Sequence, residues 1–537
     1  MSLRHVAIGL VVVLAACGAS GSPGRRALQL SVDTALSASV IEREISRPLE
    51  IALAGVAGAT RVHSLSEAGH AVVTIELDGR DAFAVRREVM TRLGDTPLPA
   101  GVMPQLGPPT SPDGTLLRYV LRGRAANLVE LRTIQDWRVR RRLLAIAGVA
   151  DVATCGGRVE EIHVAVDPAR LATVSLADLT EALRRPVSTA TGAPPGGTLT
   201  VRGALATFGD LPDLVVRPGD VPLRIKDLAT VSRDHAPQDC FAATHGEEVV
   251  AGTVWLLAGA DRGTVRETAT QALDAIGREL PPGVSLEVIA DDATAIVALP
   301  ERARDDQLRA WRTVTESALV ELGRAEGGFV AEVPDELRVY AADRATAAAA
   351  AAAIATQTAG HAIAPDDPTA WIRISGPELA QLARLADQLA AGQDVLERVG
   401  LATRPEIEVT PDRARLAELG VGVGALEETV GAALAGLSTV DVQDGDRRIP
   451  LLVVLGPHLQ DPAALATIRL GRAERGIVSV GMVASIATRD GPRAILRDGG
   501  TRWVGLRVRA PDLASLRERV AALALPQGYV AVVTAAP

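Results

Sequence analysis

The chain has 537 residues, of which 47% are apolar and 23% charged, and its net charge is −9. That balance supports ordinary packed cores over several domains and excludes a disordered chain. Acidic and basic residues are interspersed and aromatics amount to only 2%, so no basic, aromatic-rich surface for nucleic acid is expected.

The N-terminus reads MSLRH, then an apolar run from Val6 to Ala16, then Cys17. A helix needs ~20 apolar residues to cross a bilayer. The short run, the basic start and the small residues before Cys17 read instead as a secretory signal over 1–17. Leu14-Ala15-Ala16-Cys17 resembles a lipobox, which makes Cys17 the lipid-attachment residue and 18–27 a flexible linker. The alternative is an ordinary signal with an incidental cysteine. Residues 28–32 are predicted as a strand. Ile41, Ile45, Leu49 and Leu53 recur every four residues and predict a helix, which Pro48 should bend or break. A strand over 70–77, a helix over 82–93 and a stop at 98–101 complete a unit of the split βαβ type.

The same grammar returns. Residues 116–123 are predicted as a strand and 128–146 as a helix. The segments 149–157 and 159–167 read as paired strands around Gly156-Gly157. A helix over 168–185, a Pro/Gly-rich insert at 192–197, a strand over 249–257, a helix running through Ile276 and a strand over 285–291 follow. Ala347–Ala353 reads as a soluble helix. The chain is also duplicated. EEIHVAVDPARLA (160–172) matches PEIEVTPDRARLA (405–417), KDLATVSRD (226–234) matches GMVASIATRD (481–490), and ELPPGVSLEVI (279–289) matches ALPQGYVAVVT (524–534), all in the same order.

Candidate chemistry is sparse. Cys155 and Cys240 either form a bridge or are two separate, partly buried thiols, the second being preferred. His235, Cys240 and His245 are weak metal candidates, since their spacing is looser than zinc motifs and a plain loop explains it. Met90, Met103 and Met482 are scattered and form no thioether site. SEAGH (66–70) and GDRRIP (445–450) read as turns with charged tips, and Asp291-Asp292 is a carboxylate pair with no catalytic role expected. With no nucleophile elbow, P-loop or HExxH pattern, neither an enzyme nor a cofactor is expected.

The segments 40–79, 131–157, 161–172, 416–434 and 445–455 resemble the periplasmic region of resistance–nodulation–division (RND) efflux permeases, nearest the heavy-metal branch. The resemblance covers most of 28–298 and 371–537. It implies an α+β fold of tandem duplicated split βαβ (ferredoxin-like) porter subdomains with docking inserts. The implied division is a first porter subdomain (28–113), a second (114–185 plus 241–298) with a docking insert (186–240), a linker and shortened third (299–370), and a fourth (371–434 plus 491–537) with a second docking insert (435–490). It also implies a trimer, a periplasmic adaptor and an outer-membrane channel as partners. Where the family inserts its membrane bundle with the proton relay, this chain has the charged stretch ERARDDQLRAWRTV (301–314), which does not suit hydrocarbon. No transmembrane bundle and no proton relay are therefore expected. The resulting expectation is a lipid-anchored, periplasmic accessory or regulatory component of an efflux system, as a homo-trimer or beside a permease in a hetero-trimer. A stand-alone envelope binding protein for a small molecule or metal ion, and a degenerate relic, are the alternatives. The substrate-binding residues are not identifiable from the sequence.

Overall fold

The computed structural model describes residues 27–535 except 35, 80, 100–101, 124–126, 168–169, 171–173, 175, 185–206, 218–221, 237–239, 241, 245–246, 290–292, 299–328, 334–335, 342, 359, 365–366, 435, 446, 456–461 and 474–475. Cys17, His245, Asp291-Asp292, the 192–197 insert and 301–314 lie outside the described residues. The fold is α+β and divides into two compact units. Among the described residues, the larger comprises those within 27–157, 238–404 and 491–535, and the smaller those within 158–237 and 405–490.

In the larger unit the first subdomain starts with the strand Ala27–Asp33, as its alternating buried side chains dictate. A helix over 38–53 follows, burying Ile41, Ile45, Leu49 and Leu53 completely. Strands Ala59–Glu67 and His70–Leu77, helix Ala82–Gly94 and the short strand Gln105–Leu106 complete it. Asp81 caps the second helix by accepting from the Phe83 N–H. The strands lie in the order 105–106, 27–33, 70–77, 59–67, all antiparallel, which is the ferredoxin-like order.

The expected distortion at Pro48 is a single wide turn, Glu42–Ser46, in which the Arg47 N–H reaches back five residues to the Glu42 carbonyl. Proline is not required for such a turn. The second subdomain has the same wide turn at Gln135–Val139, closed by the Arg140 N–H on the Gln135 carbonyl, with no proline near it.

The ferredoxin-like order recurs three times more. In the second subdomain Val284–Ile289, Thr110–Gly123, Val250–Leu257 and Val149–Cys155 follow it. In the fourth, Val530–Ala535, Thr369–Gly376, Thr501–Arg509 and Val395–Val399 follow it. In the third, His361–Ile363, Ala293–Ala298, Glu336–Ala341 and Phe329–Val333 follow it, with the helix Arg344–Thr358 alongside. This corrects two expectations. Residues 293–298 belong to the third subdomain rather than the second, and the strands Ala242–Thr244 and Glu247–Glu248 extend that same sheet. The third subdomain therefore has a full set of four strands and is not reduced to half. A strand beginning at Ala293 directly after the second subdomain's last strand gave no break in composition at which to divide the two.

The smaller unit is built from both halves of the duplication. Its main sheet runs Ala229–His235, Glu160–Val166, Arg447–Leu455, Leu437–Asp444, and the central pair is parallel. One core holds it together, including Ile162, Val164, Leu179, Leu183, Leu451 and Val453. Glu160–Val166, Leu176–Arg184 and the described residues of 405–434 thus pack here, not with porter-type sheets, so the expected inserts 186–240 and 435–490 begin too late. The predicted pairing of 149–157 with 159–167 is also corrected. Val149–Cys155 pairs with Val250–Leu257, while Glu160–Val166 pairs with Ala229–His235. Gly156 and Gly157, at φ +84° and +70°, turn the chain from one unit into the other rather than into a hairpin.

Candidate functional site

The first and fourth subdomains of the larger unit are joined by direct strand pairing. Residues 63–67 of the first lie antiparallel to 494–498 of the fourth, with His63 opposite Asp498 and Leu65 opposite Leu496. Beside this seam, the helix over 38–53 carries a second stripe next to its apolar one. Glu42, Ser46 and Glu50 recur every four residues and are all buried.

Each polar member of that stripe has a partner. Arg497 donates from Nη1 to Glu42 at 2.9 Å and from Nε to Glu50 at 3.0 Å. Arg502 donates to Glu42 through Nε at 2.7 Å and through Nη2. The Ser64 hydroxyl donates to Glu50 and the Ser46 and Ser66 hydroxyls share a bond of 2.8 Å. The side chains of Glu42 and Arg497 retain only 2% and 10% of their exposure. Burial pushes the Glu42 carboxyl up, but the bonds and charges of Arg502 and Arg497 outweigh it and hold the carboxyl below its ordinary range.

On the seam itself, Arg61 donates from Nε to both Asp498 oxygens at 3.0 Å and from Nη1 to Glu76 at 3.2 Å. Arg373 also pairs with Asp498 and lies 4.5 Å from the centre of the Trp503 ring. The paired guanidiniums hold the Asp498 carboxyl below its ordinary range against the upward push of burial. His63 is enclosed beside them, and its Nδ1 has no hydrogen-bond partner. Burial, reinforced by the charges of Arg61 and Arg373 and opposed by Asp498, pushes its imidazole down to about 4.

A cavity of about 540 Å³ opens beside this network, lined in part by Arg47, Glu50, Ile51, Thr60, Arg61 and Arg497. A second of about 530 Å³ lies between the two helices of the first subdomain, against Pro48, Ile51, Arg92 and Asp95. Ile51 lines both and is 73% exposed. Chemically, the seam is a set of compensated fixed charges. Its buried carboxylates are already neutralised by arginine, so they offer neither a general base nor a cation cage.

The sequence-predicted residues are not gathered at this seam. Cys240 is joined to Cys155 by a disulfide, which overturns the preferred reading of two separate thiols and removes the Cys240 thiolate as a ligand. His235 accepts at Nε2 from the Arg158 guanidinium at 3.1 Å and donates from Nδ1 to the Ala236 carbonyl at 3.0 Å. Among the described residues no group of three or more His, Cys, Asp or Glu side chains is placed to hold a metal. Met90 and Met482 are exposed and belong to different units, and Met103 is exposed as well. The sequence reading missed Glu42, Glu50, Arg497 and Asp498. The buried stripe at 42, 46 and 50 was the available signal, a polar series with helical period running beside an apolar one.

The profile of the AcrB/AcrD/AcrF family matches residues 29–300 and 375–531. The protein HelA of Legionella pneumophila is 29% identical over 309 residues, which is 54% of this chain and 29% of HelA. The cation efflux system protein CusA of Escherichia coli K12 is 31% identical over 272 residues, covering 48% of this chain and 26% of CusA. The cobalt-zinc-cadmium resistance protein CzcA of Cupriavidus metallidurans is 30% identical over 270 residues, 47% of this chain and 25% of that protein. The chain thus spans under a third of the length of these curated relatives. A crystal structure of a heavy metal efflux pump shares the fold, with a TM-score of 0.80 at 17% identity, covering 95% of this chain and 79% of the pump chain. Among the described residues no helix is long and apolar enough to cross a membrane.

Proposed function

The chain belongs to the AcrB/AcrD/AcrF family of RND efflux permeases, and on that premise we propose that it is an accessory porter-type component of an envelope efflux system, not itself a proton-driven pump. It acts in the periplasm, held to a membrane by a lipid on Cys17, as one subunit of a homo- or hetero-trimer. Its partners are a family permease, a periplasmic adaptor and an outer-membrane channel. It is not an enzyme and needs no cofactor.

The observation that carries this reading is the seam. Four ferredoxin-like subdomains persist, and the first and fourth remain locked through residues more than 430 positions apart, Arg61 with Asp498 and Arg497 with Glu42. Loss of either partner in a buried charge pair strands the other and is strongly destabilising, so a network with its partners in place supports a folded, functioning chain over a degenerate relic. The charged stretch 301–314 supports a role without a membrane bundle at that point. Incorporation of a radioactive fatty acid is expected in the native chain and not in a Cys17→Ser variant. Equal labelling of both removes the anchor. Affinity capture from envelope membranes is expected to recover a permease, adaptor or channel protein, and recovery of none of them defeats the accessory role.

A further inference from the structure

The chain passes between its two units at two places, each used by two segments. The first crossing lies after Gly157 on the way out and before Cys240 on the way back, and the second at Arg404–Pro405 and Asp490–Gly491. Cys155 and Cys240 stand two residues inside the larger unit on the two arms of the first crossing, and the bond between them encloses the inserted segment at its base. Gly156 adds one backbone bond, its N–H donating to the Cys240 carbonyl at 3.1 Å. On the other side the ladder of Glu160–Val166 with Ala229–His235 begins at once, extended by the Ala236 N–H on the Val159 carbonyl at 2.9 Å.

The duplication supplies an internal control. Aligning Glu160 with Pro405 places Gly400 where Cys155 stands, and aligning Asp234 with Asp490 places Leu496 where Cys240 stands. Gly400 and Leu496 are neighbours too. A Cβ on Gly400 would lie 3.2 Å from the Leu496 Cδ1. The second crossing is spanned by continuous strands, Thr403–Pro411 paired with Ala484–Pro492. So the same topological position carries a covalent bond in one copy and an ordinary apolar contact in the other.

We propose that Cys155–Cys240 is a redox-sensitive clasp that fixes the base of the segment 158–237, and that a dithiol reductant opens it while leaving the second crossing closed. Both sulfur-bearing residues are half-buried, so a thiolate of the reductant can attack one sulfur. That attack expels the other cysteine as a thiolate, which takes up a proton. The reductant's second thiol then resolves the mixed disulfide. The reductant leaves as its own disulfide, and the two cysteines have gained two electrons and two protons.

The test uses the full chain purified without reductant. A non-reducing peptide map is expected to contain a Cys155–Cys240 cross-link, and free, alkylatable thiols at both positions would overturn the proposal. Hydrogen exchange is then compared before and after dithiothreitol. Reduction is expected to speed exchange of the 160–166 and 229–235 amides about tenfold or more, with 403–411 and 484–492 unchanged. An unchanged first ladder, or equal acceleration of both ladders, would overturn it. A Cys155→Ser/Cys240→Ser variant should match the reduced native chain without reductant. If that variant does not fold, the reduced native chain alone decides.

Discussion

Arg497 is the residue on which the seam depends, because two buried carboxylates, Glu42 and Glu50, turn to it. Truncating it takes the guanidinium away from buried Glu50 and leaves Glu42 to Arg502. Arg497→Ala is therefore expected to destabilise the larger unit by roughly 3–5 kcal/mol, the usual cost of breaking a buried ion pair by removing one partner. Denaturant titration of that unit measures it, and a midpoint close to that of the native chain would show that the network carries no stability. Arg497→Lys should recover only part of the loss, since one ammonium cannot reproduce the fork that meets Glu42, Glu50 and the Gly500 carbonyl together. Half of this site was legible in the sequence. Glu42, Ser46 and Glu50 sit at helical spacing beside an apolar stripe, so a buried polar face was there to be read. Arg497 was not legible as their partner, because 447 residues separate it from Glu50 and only the fold closes that distance. The disulfide was hidden for the same reason, as Cys155 and Cys240 are 85 positions apart.

Among the elements, those with a single buried face were legible almost to the residue. The strand predicted over 28–32 is Ala27–Asp33, and the helix predicted over 82–93 is Ala82–Gly94. Periodicity reports which face of an element is buried, but not against what. That is why the apolar runs 149–157 and 159–167 were paired with each other, although they close different sheets. The turn between them is where the fold departs most from local expectation. A Cβ on Gly156, at φ +84°, would stand 2.2 Å from the Val249 carbonyl oxygen, and backbone cannot yield as a side-chain end can. Gly156→Ala is expected to combine that clash with left-handed strain and to destabilise by roughly 1–3 kcal/mol or more. Gly55→Ala is the control. Gly55 has a similar φ of +75° with nothing within 4 Å of the added carbon, so its cost should stay near 1 kcal/mol, the backbone part alone. Equal costs for the two variants, measured by thermal unfolding, would show that close packing at the turn does not matter.

For the whole molecule, the two units carry histidines tuned in opposite senses. In the larger unit, His63 is enclosed beside Arg61 and Arg373 and titrates at about 4 in the fold against 6.5 for a free imidazole. Its contribution to stability is present above 6.5 and is lost as the pH falls toward 4, because the unfolded chain takes up the proton first. In the smaller unit, the His163 ring bonds the Glu161 carboxylate at 3.0 Å and faces Asp234 at 3.5 Å. The bond to Glu161 raises its affinity for a proton, against a smaller downward push from burial. Its contribution is full below 6.5 and is lost as the pH rises through the raised value. Glu42 and Asp498, held below the ordinary carboxylate range, begin to matter only in more acidic solution. Between pH 8 and 5.5 the histidines therefore act alone among these groups. Lowering the pH over that interval is expected to destabilise the larger unit by ~1 kcal/mol while stabilising the smaller. Calorimetric scans should show two unfolding transitions moving in opposite directions. His63→Asn should flatten the response of the larger unit and His163→Asn that of the smaller, each leaving the other transition as it was. A single transition, or two that shift together, would mean that the units do not unfold independently. In that case the charged seam and the mixed sheet of the smaller unit would belong to one cooperative structure.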